Sequence, residues 1–287
     1  MKTTIKKAIN SSWIIVKLVI PFSIASDILQ YLGVIEYISI IFEPFTNSLN
    51  LPSGVALSFA SAIFFNLYAG IAVASTLDLN GYEWTIVGTF MAICHSLPLE
   101  TAVLKKVGMK LTIHWISRVT LGYIGAIIAM YMSPLNTNII EKTKEINISV
   151  NNNFFEYFLT SIYNSSLLAL KVIFLVVSLI ILFELIKKLT FFNSLLNKYT
   201  FLSSLIIGGL LGITYGAGIL LQEIKQIQLK AKTLLLVFLM LAHGLVEETL
   251  IFAFVGADVL SIFLIRVSIA LFVVFLVTII INKKMAR

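Results

Sequence analysis

His95 and Glu100 stand five residues apart in His95-Ser96-Leu97-Pro98-Leu99-Glu100-Thr101. The same residue types return 148 positions later in His243-Gly244-Leu245-Val246-Glu247-Glu248-Thr249. Both stretches fit H-x-L-x-x-E-T, and both lie inside apolar segments. At the same shift Val107-Gly108 falls on Val255-Gly256, and Arg118-Val119-Thr120 falls on Arg266-Val267-Ser268. Several matches in one register read as an internal duplication. The repeated positions are ionisable groups in surroundings that penalise charge, which marks them as candidate functional residues.

On an unbroken helix, residues five apart point about 140° away from each other. His and Glu therefore share a face only if the helix is interrupted. Pro98 supplies such a break in the first copy, because it lacks a backbone donor and clashes with the preceding turn. Gly244 loosens the second copy less forcefully. Non-helical backbone at membrane depth is tolerated only where it lines a cavity or is buried in protein. Two broken helices would then offer the imidazoles of His95 and His243, the carboxylates of Glu100, Glu247 and Glu248, and the hydroxyls of Thr101 and Thr249. Two kinds of ligand suit that set. A polar organic solute such as a nucleoside would hydrogen-bond the carboxylates and hydroxyls, with Glu carrying a coupled proton. A divalent metal such as Zn or Fe(II) would take imidazole with carboxylate, on His95, Glu100, His243 and Glu248. Glu247 and Glu248 follow a single His rather than forming H-E-x-x-H, so an intramembrane metallopeptidase is not expected and no enzyme is inferred.

A structural reading stands beside these. Buried membrane charges pair with one another, and Arg118 and Arg266 would then hold His95, Glu100 and their counterparts together without further purpose. His114 lies near the end of an apolar segment without a repeated partner and is expected at the membrane interface. Asn66, Tyr68 and Gly70, with Tyr215, Gly216 and Gly218, either line the site or allow close helix packing, for which small residues are common.

The elements that must position these groups follow from composition. Of 287 residues, 59% are hydrophobic and 12% charged, and mean hydropathy is +0.99. Soluble domains carry about 25% charged residues, so the expectation is an all-α polytopic membrane protein. Runs such as Trp13–Leu32, Leu167–Ile186 and Val259–Ile281 reach the roughly 20 residues that span a bilayer. Lys2, Lys6 and Lys7 precede the first run, which is longer than the 7–15 residues usual in a signal peptide and reads as a retained span. The single Cys94 excludes an internal disulfide framework and a Cys-rich metal site. A net charge of +7 would suggest nucleic acid in a soluble protein. Here the lysines flank apolar segments, as the positive-inside rule describes, and no nucleic-acid partner is expected.

The duplication extends over most of the chain. Asn10-Ser11-Ser12 with Lys17 recurs 154 positions later as Asn164-Ser165-Ser166 with Lys171, and Tyr68-Ala69-Gly70 is echoed by Tyr215-Gly216-Ala217-Gly218. Lys17 and Lys171 are expected to snorkel. The units are 1–145 and 155–287, joined at 146–154, the end of an Asn-rich stretch running from Asn136 to Asn153. Unit one divides into segments 13–32, 34–48, 53–76, 84–104 and 110–132; unit two into 165–186, 189–199, 201–222, 232–252 and 257–282. The short second pieces suit re-entrant or interfacial helices.

Loop charges oppose one another between the units. Glu36, Glu43, Asp78 and Glu83 of unit one correspond to Lys187, Lys188, Lys198, Lys225, Lys230 and Lys232 of unit two. Lys105, Lys106 and Lys110 correspond to acidic Asp258. The positive-inside rule then orients the units oppositely, with both termini cytoplasmic, in the bacterial inner membrane, and 133–155 outside. Inverted repeats place substrate sites near the midplane. His95 and His243 each lie 11 residues from the start of their segments, roughly 16 Å deep at about 1.5 Å per residue.

Tyr31-Leu32-Gly33-Val34-Ile35-Glu36, Phe42-Glu43-Pro44-Phe45 and Leu49-Asn50-Leu51-Pro52-Ser53-Gly54 resemble the Gate or nucleoside-recognition domain of spore-maturation membrane proteins, concentrative nucleoside transporters and the membrane part of ferrous-iron permeases. The stretch 95–108 followed by Arg118 is similar to single-chain nucleoside-recognition proteins. The resemblance implies two inverted Gate motifs around a central cavity. The chain lacks the G-x-x-x-x-G-K-[ST] loop of a GTPase domain and the length of full nucleoside transporters. The expected function is a transporter or permease for a small polar solute or divalent metal ion, one unit rocking against the other. The alternative is a non-transporting scaffold or assembly factor of spore-maturation type. The lipid bilayer is the surrounding partner, and a homo-oligomer is allowed. In a Cys94→Ala background, cysteines placed singly in 105–110 and in 225–232 should all react with an impermeant thiol reagent from the cytoplasmic side. Labelling of the two stretches from opposite sides would overturn the opposed orientation.

Overall fold

Long apolar runs with few internal breakers become helices because hydrocarbon offers no partner for an unpaired backbone group. The computed structural model describes residues 2–34, 44–105, 111–132, 154–186 and 229–285. In chain order the helices are α1 (Lys2–Tyr31), α2 (Val55–Phe64), α3 (Leu67–Ala74), α4 (Gly81–Ile93), α5 (Leu97–Lys105), α6 (Leu111–Met132), α7 (Phe154–Ile186), α8 (Leu229–Ala242), α9 (Glu247–Ile251), a 3₁₀ turn (Phe252–Val255) and α10 (Val259–Met285). No strand occurs among the described residues. Among the described residues, five stretches are long and apolar enough to cross a bilayer: Ala8–Leu29, Leu111–Met132, Phe154–Leu182, Lys230–Val255 and Val259–Lys283. The chain is an all-α polytopic membrane protein.

The first and third long helices, α1 and α7, pack along each other. Both carry the Asn-Ser-Ser-x4-Lys signature, and it behaves alike in each. Ser12 Oγ donates to the Ala8 carbonyl (2.8 Å) and Ser166 Oγ to the Ile162 carbonyl (2.7 Å), the same back-bond in the same register. Lys17 extends its ammonium over the Trp13 ring, 4.8 Å from the centroid. At the other end of α1, Asp27 accepts a short bond from Ser161 Oγ, and its carbonyl takes Tyr157 Oη at 3.1 Å.

The motif-bearing helices form the core. α4 packs on α6, α8 packs on α10, and α10 also packs against α4 and α6, which brings both H-x-L-x-x-E-T stretches into one bundle. Small residues set the spacing. A Cβ on Gly125 of α6 would lie 2.7 Å from Ile93 and 3.3 Å from Ile269, and one on Gly88 of α4 would meet the Phe252 ring at 2.9 Å. An Asn80–Glu83 capping box starts α4. Asp258 starts α10 by accepting from Ser261, and its own N–H donates to Thr85 Oγ1 of α4 (2.8 Å).

Several segment boundaries differ from expectation. The stretch 53–76 is two helices instead of one span. Phe65 leaves helical geometry (φ −109°, ψ −81°) and extended Asn66 caps α3 by accepting from the Ala69 N–H at 2.9 Å. An Asn side chain in an apolar run competes for backbone groups and so restarts the helix. Asn66 serves as the cap of α3. α1 begins at Lys2 rather than Trp13, and α7 begins at Phe154, so the last residue of the expected linker 146–154 is helical. The remainder of that linker, segments 189–199 and 201–222 with Tyr215, and most of 34–48 lie outside the described residues. Gly125→Val should destabilise the bundle by about 2 kcal/mol, as overpacking does. Thermal unfolding in detergent checks this, and an unchanged midpoint would show that α4, α6 and α10 do not meet there.

Candidate functional site

Each motif begins where a helix stops. α4 ends at Ile93, Cys94 turns out of helical geometry (φ −130°, ψ 81°), and Ser96 adopts φ 52° before α5 starts at Leu97. α8 ends at Ala242, and Gly244, the residue equivalent to Ser96, adopts φ 60° before α9 starts at Glu247. The interruption thus precedes Pro98, which occupies the exposed first turn of α5, where its missing N–H costs nothing. The left-handed residue is the actual hinge. It needs Gly in unit two, since a Cβ on Gly244 would strike the Glu248 carboxyl at 2.5 Å. In unit one Ser tolerates the strained conformation while its N–H donates to the Ala62 carbonyl (2.9 Å).

The break turns each imidazole inward. His95 Nδ1 lies 2.7 Å from the Met91 carbonyl, and His243 Nδ1 lies 2.9 Å from the Leu239 carbonyl, again 148 positions apart. A carbonyl only accepts, so both Nδ1 atoms carry hydrogen and both Nε2 atoms of the neutral rings present lone pairs. The two Nε2 atoms lie 3.3 Å apart. Glu100 Oε1 is 3.3 Å from His243 Nε2 and 3.8 Å from His95 Nε2. Glu248 Oε1 is 3.3 Å from His95 Nε2 and 3.5 Å from His243 Nε2. Both Nε2 atoms and Glu248 Oε1, from two separated motifs, thus gather within 4.8 Å of one another, and Glu100 Oε1 flanks the trio on the His243 side. His95, His243 and Glu100 are each about 4% exposed, and Glu248 is partly buried.

Behind each carboxylate stands a fully buried arginine. Arg118 Nη2 donates to Glu100 Oε1 at 2.8 Å and to the His95 carbonyl at 3.1 Å. Arg266 Nη2 donates to Glu248 Oε2 and to the His243 carbonyl, both at 2.8 Å. One guanidinium in each unit thus satisfies the carbonyl released by the break and orients the carboxylate. The structural role expected of the arginines is real, and it also builds the site.

The hydroxyls divide. Thr249 accepts from Arg266 Nη1 (3.0 Å), whereas Thr101 accepts from Trp115 Nε1 (2.9 Å) and points away from Arg118. Glu247 does not join the converging oxygens. It takes a long bond from Tyr68 Oη (3.3 Å), which links α3 to α9. His114, placed near the start of α6, is enclosed by protein, being 1% exposed, with Nε2 3.8 Å from Glu100 Oε2. Its signal was available, because four residues before Arg118 is one turn along the same face.

An "Uncharacterized membrane protein YvoD" of Bacillus subtilis (strain 168) is 25% identical to the chain over 283 residues, covering 91% of this chain and 88% of its own length. No family model and no solved structure matches the chain. Glycine and serine at the two hinges make opposite predictions. Ser96→Gly should stabilise the protein by about 1 kcal/mol by removing left-handed strain. Gly244→Ala should destabilise it by more than that and displace Glu248. Paired thermal melts check both, and equal effects would show that the hinges are not under the same constraint.

Proposed function

We propose that this chain is a membrane permease for a divalent cation of the Zn or Fe(II) type, which it binds between His95, His243, Glu100 and Glu248. One observation carries the reading. Ligand atoms about 2.0–2.1 Å from a tetrahedral metal stand roughly 3.3–3.4 Å from one another. His95 Nε2, His243 Nε2 and Glu248 Oε1 stand 3.3, 3.3 and 3.5 Å apart and form one group within 4.8 Å, with Glu100 Oε1 beside it at 3.3 and 3.8 Å from the two imidazoles. That spacing suits a bare ion better than a nucleoside. Both imidazoles have the support common to metal-bound histidines, with the far nitrogen donating to a carbonyl. Two lone-pair nitrogens this close repel unless a cation or a proton sits between them.

The charges favour passage over storage. Arg118 and Arg266 neutralise Glu100 and Glu248, so the cage attracts a cation by coordination more than by net charge. A transported ion must be held firmly enough to arrive and loosely enough to depart. In this reading the matched motifs belong to two inverted units, 1–145 and 155–287, that rock about the site.

The scaffold reading rests on the same two Arg–Glu pairs, taken as ties between helices. Metal analysis separates the two. Protein purified in detergent and equilibrated with Zn²⁺ should retain about one ion per chain, and His95→Ala and His243→Ala should each weaken retention by at least about tenfold. Proteoliposomes enclosing a Zn²⁺-sensitive dye should show flux that Glu100→Gln and Glu248→Gln both abolish. Absence of bound metal and of flux in the intact protein would favour the scaffold.

A further inference from the structure

Glu100 presents two different faces. Its Oε1 receives Arg118 and looks toward His243, as described. Its Oε2 is buried and lacks a hydrogen-bond partner among the described residues. The group facing that oxygen is His114, with Nε2 at 3.8 Å and neither ring nitrogen hydrogen-bonded. Buried polar atoms are seldom left unpaired. Here three of them belong to one carboxylate and one imidazole that face each other.

Among the described residues, unit two has no such arrangement. Glu248 gives Oε2 to Arg266 and turns Oε1 to the imidazoles, so neither oxygen is spare. The residue 148 positions beyond His114 is Ile262, fully buried and apolar. The second polar face is confined to one side of the four-group centre.

We propose that Glu100 Oε2 and His114 Nε2 form a second, transient position for the divalent cation, reached when the ion passes from one oxygen of Glu100 to the other. This rests on the reading of the centre as a cation site. An ion about 2.2 Å from both atoms spans their 3.8 Å separation with a ligand–metal–ligand angle of roughly 120°. The neighbouring Arg118, whose Nε and Nη1 are also unpartnered, weakens cation binding there by its charge. A weak position beside a stronger one is what onward movement requires. His114 lies three residues into α6, nearer than Arg118 to the end that follows Lys105, Lys106 and Lys110. The positive-inside rule gives that end to the cytoplasm, so the transient position is the inner step of the path.

Co²⁺ titration of the purified protein, followed by its visible absorption, tests this. Wild type should take up two equivalents, the second at least about tenfold weaker than the first. His114→Ile, carrying the side chain that unit two has there, should lose only the second equivalent and slow Zn²⁺ flux into proteoliposomes about tenfold. His114→Gln, a polar control against an isoleucine that fails to fold, should do the same. His114→Asp restores a ligand and should recover both readouts. If His114→Ile or His114→Gln keeps two equivalents and wild-type flux, the second position is overturned and the centre stands. If wild type binds no Co²⁺, the centre fails and the second position falls with it.

Discussion

The carbonyl set free when a helix breaks inside a membrane must find a donor, and here one guanidinium per motif supplies it. Hydrocarbon cannot satisfy that oxygen. Arg118 reaches the His95 carbonyl and Arg266 the His243 carbonyl. The same nitrogen then holds the glutamate five residues further along. Removing either partner would leave a buried charge unpaired, at a cost of about 3–5 kcal/mol. The rest of the site depends on this arrangement. It makes the interruption tolerable, and the interruption brings His and Glu to a common face that an intact helix would deny them.

The two motifs repeat this solution with small departures. Hinge residue, Nδ1 acceptor and arginine partner coincide at a shift of 148. The carboxylates do not coincide. Glu248 divides its oxygens between Arg266 and the imidazoles, while Glu100 spends one oxygen on both and leaves the other facing His114. The threonines follow the same asymmetry, since Thr249 completes its arginine and Thr101 is drawn away by Trp115. Local interactions thus preserve the shared backbone, while neighbours on α6 and α10 differentiate the two halves.

Much of the candidate site was legible in the chain because membrane burial makes each ionisable residue conspicuous. His95, Glu100, His243, Glu248 and the two arginines stood out against apolar surroundings, and all six meet. Helix interruption was legible too: Gly244 was named for the second copy, whereas in the first the cause was assigned to Pro98 and lies at Ser96. Backbone φ is not encoded by composition when a serine adopts a glycine-like geometry. Asn66 was read as a lining or packing residue because pattern alone does not separate a polar side chain facing a cavity from one that caps a helix. His114 was placed by its distance from a segment end, which measures depth and does not reveal that it faces Glu100.

The sequence by itself determined that this protein lives in a bilayer, that it is helical, and that costly polar residues recur at matched positions. Apolar length and charge scarcity are properties of the chain, so they need no fold to be read. Only the tertiary structure decided that the two imidazoles meet at Nε2 and that each carboxylate leans on an arginine from the following helix. It also decided which oxygen of Glu100 remains spare. Those facts depend on the rotation of one helix against another, set by contacts such as Gly125 on Ile93 and Gly88 on Phe252. A linear pattern fixes how far apart residues lie along the chain, whereas coordination is a matter of ångströms across it.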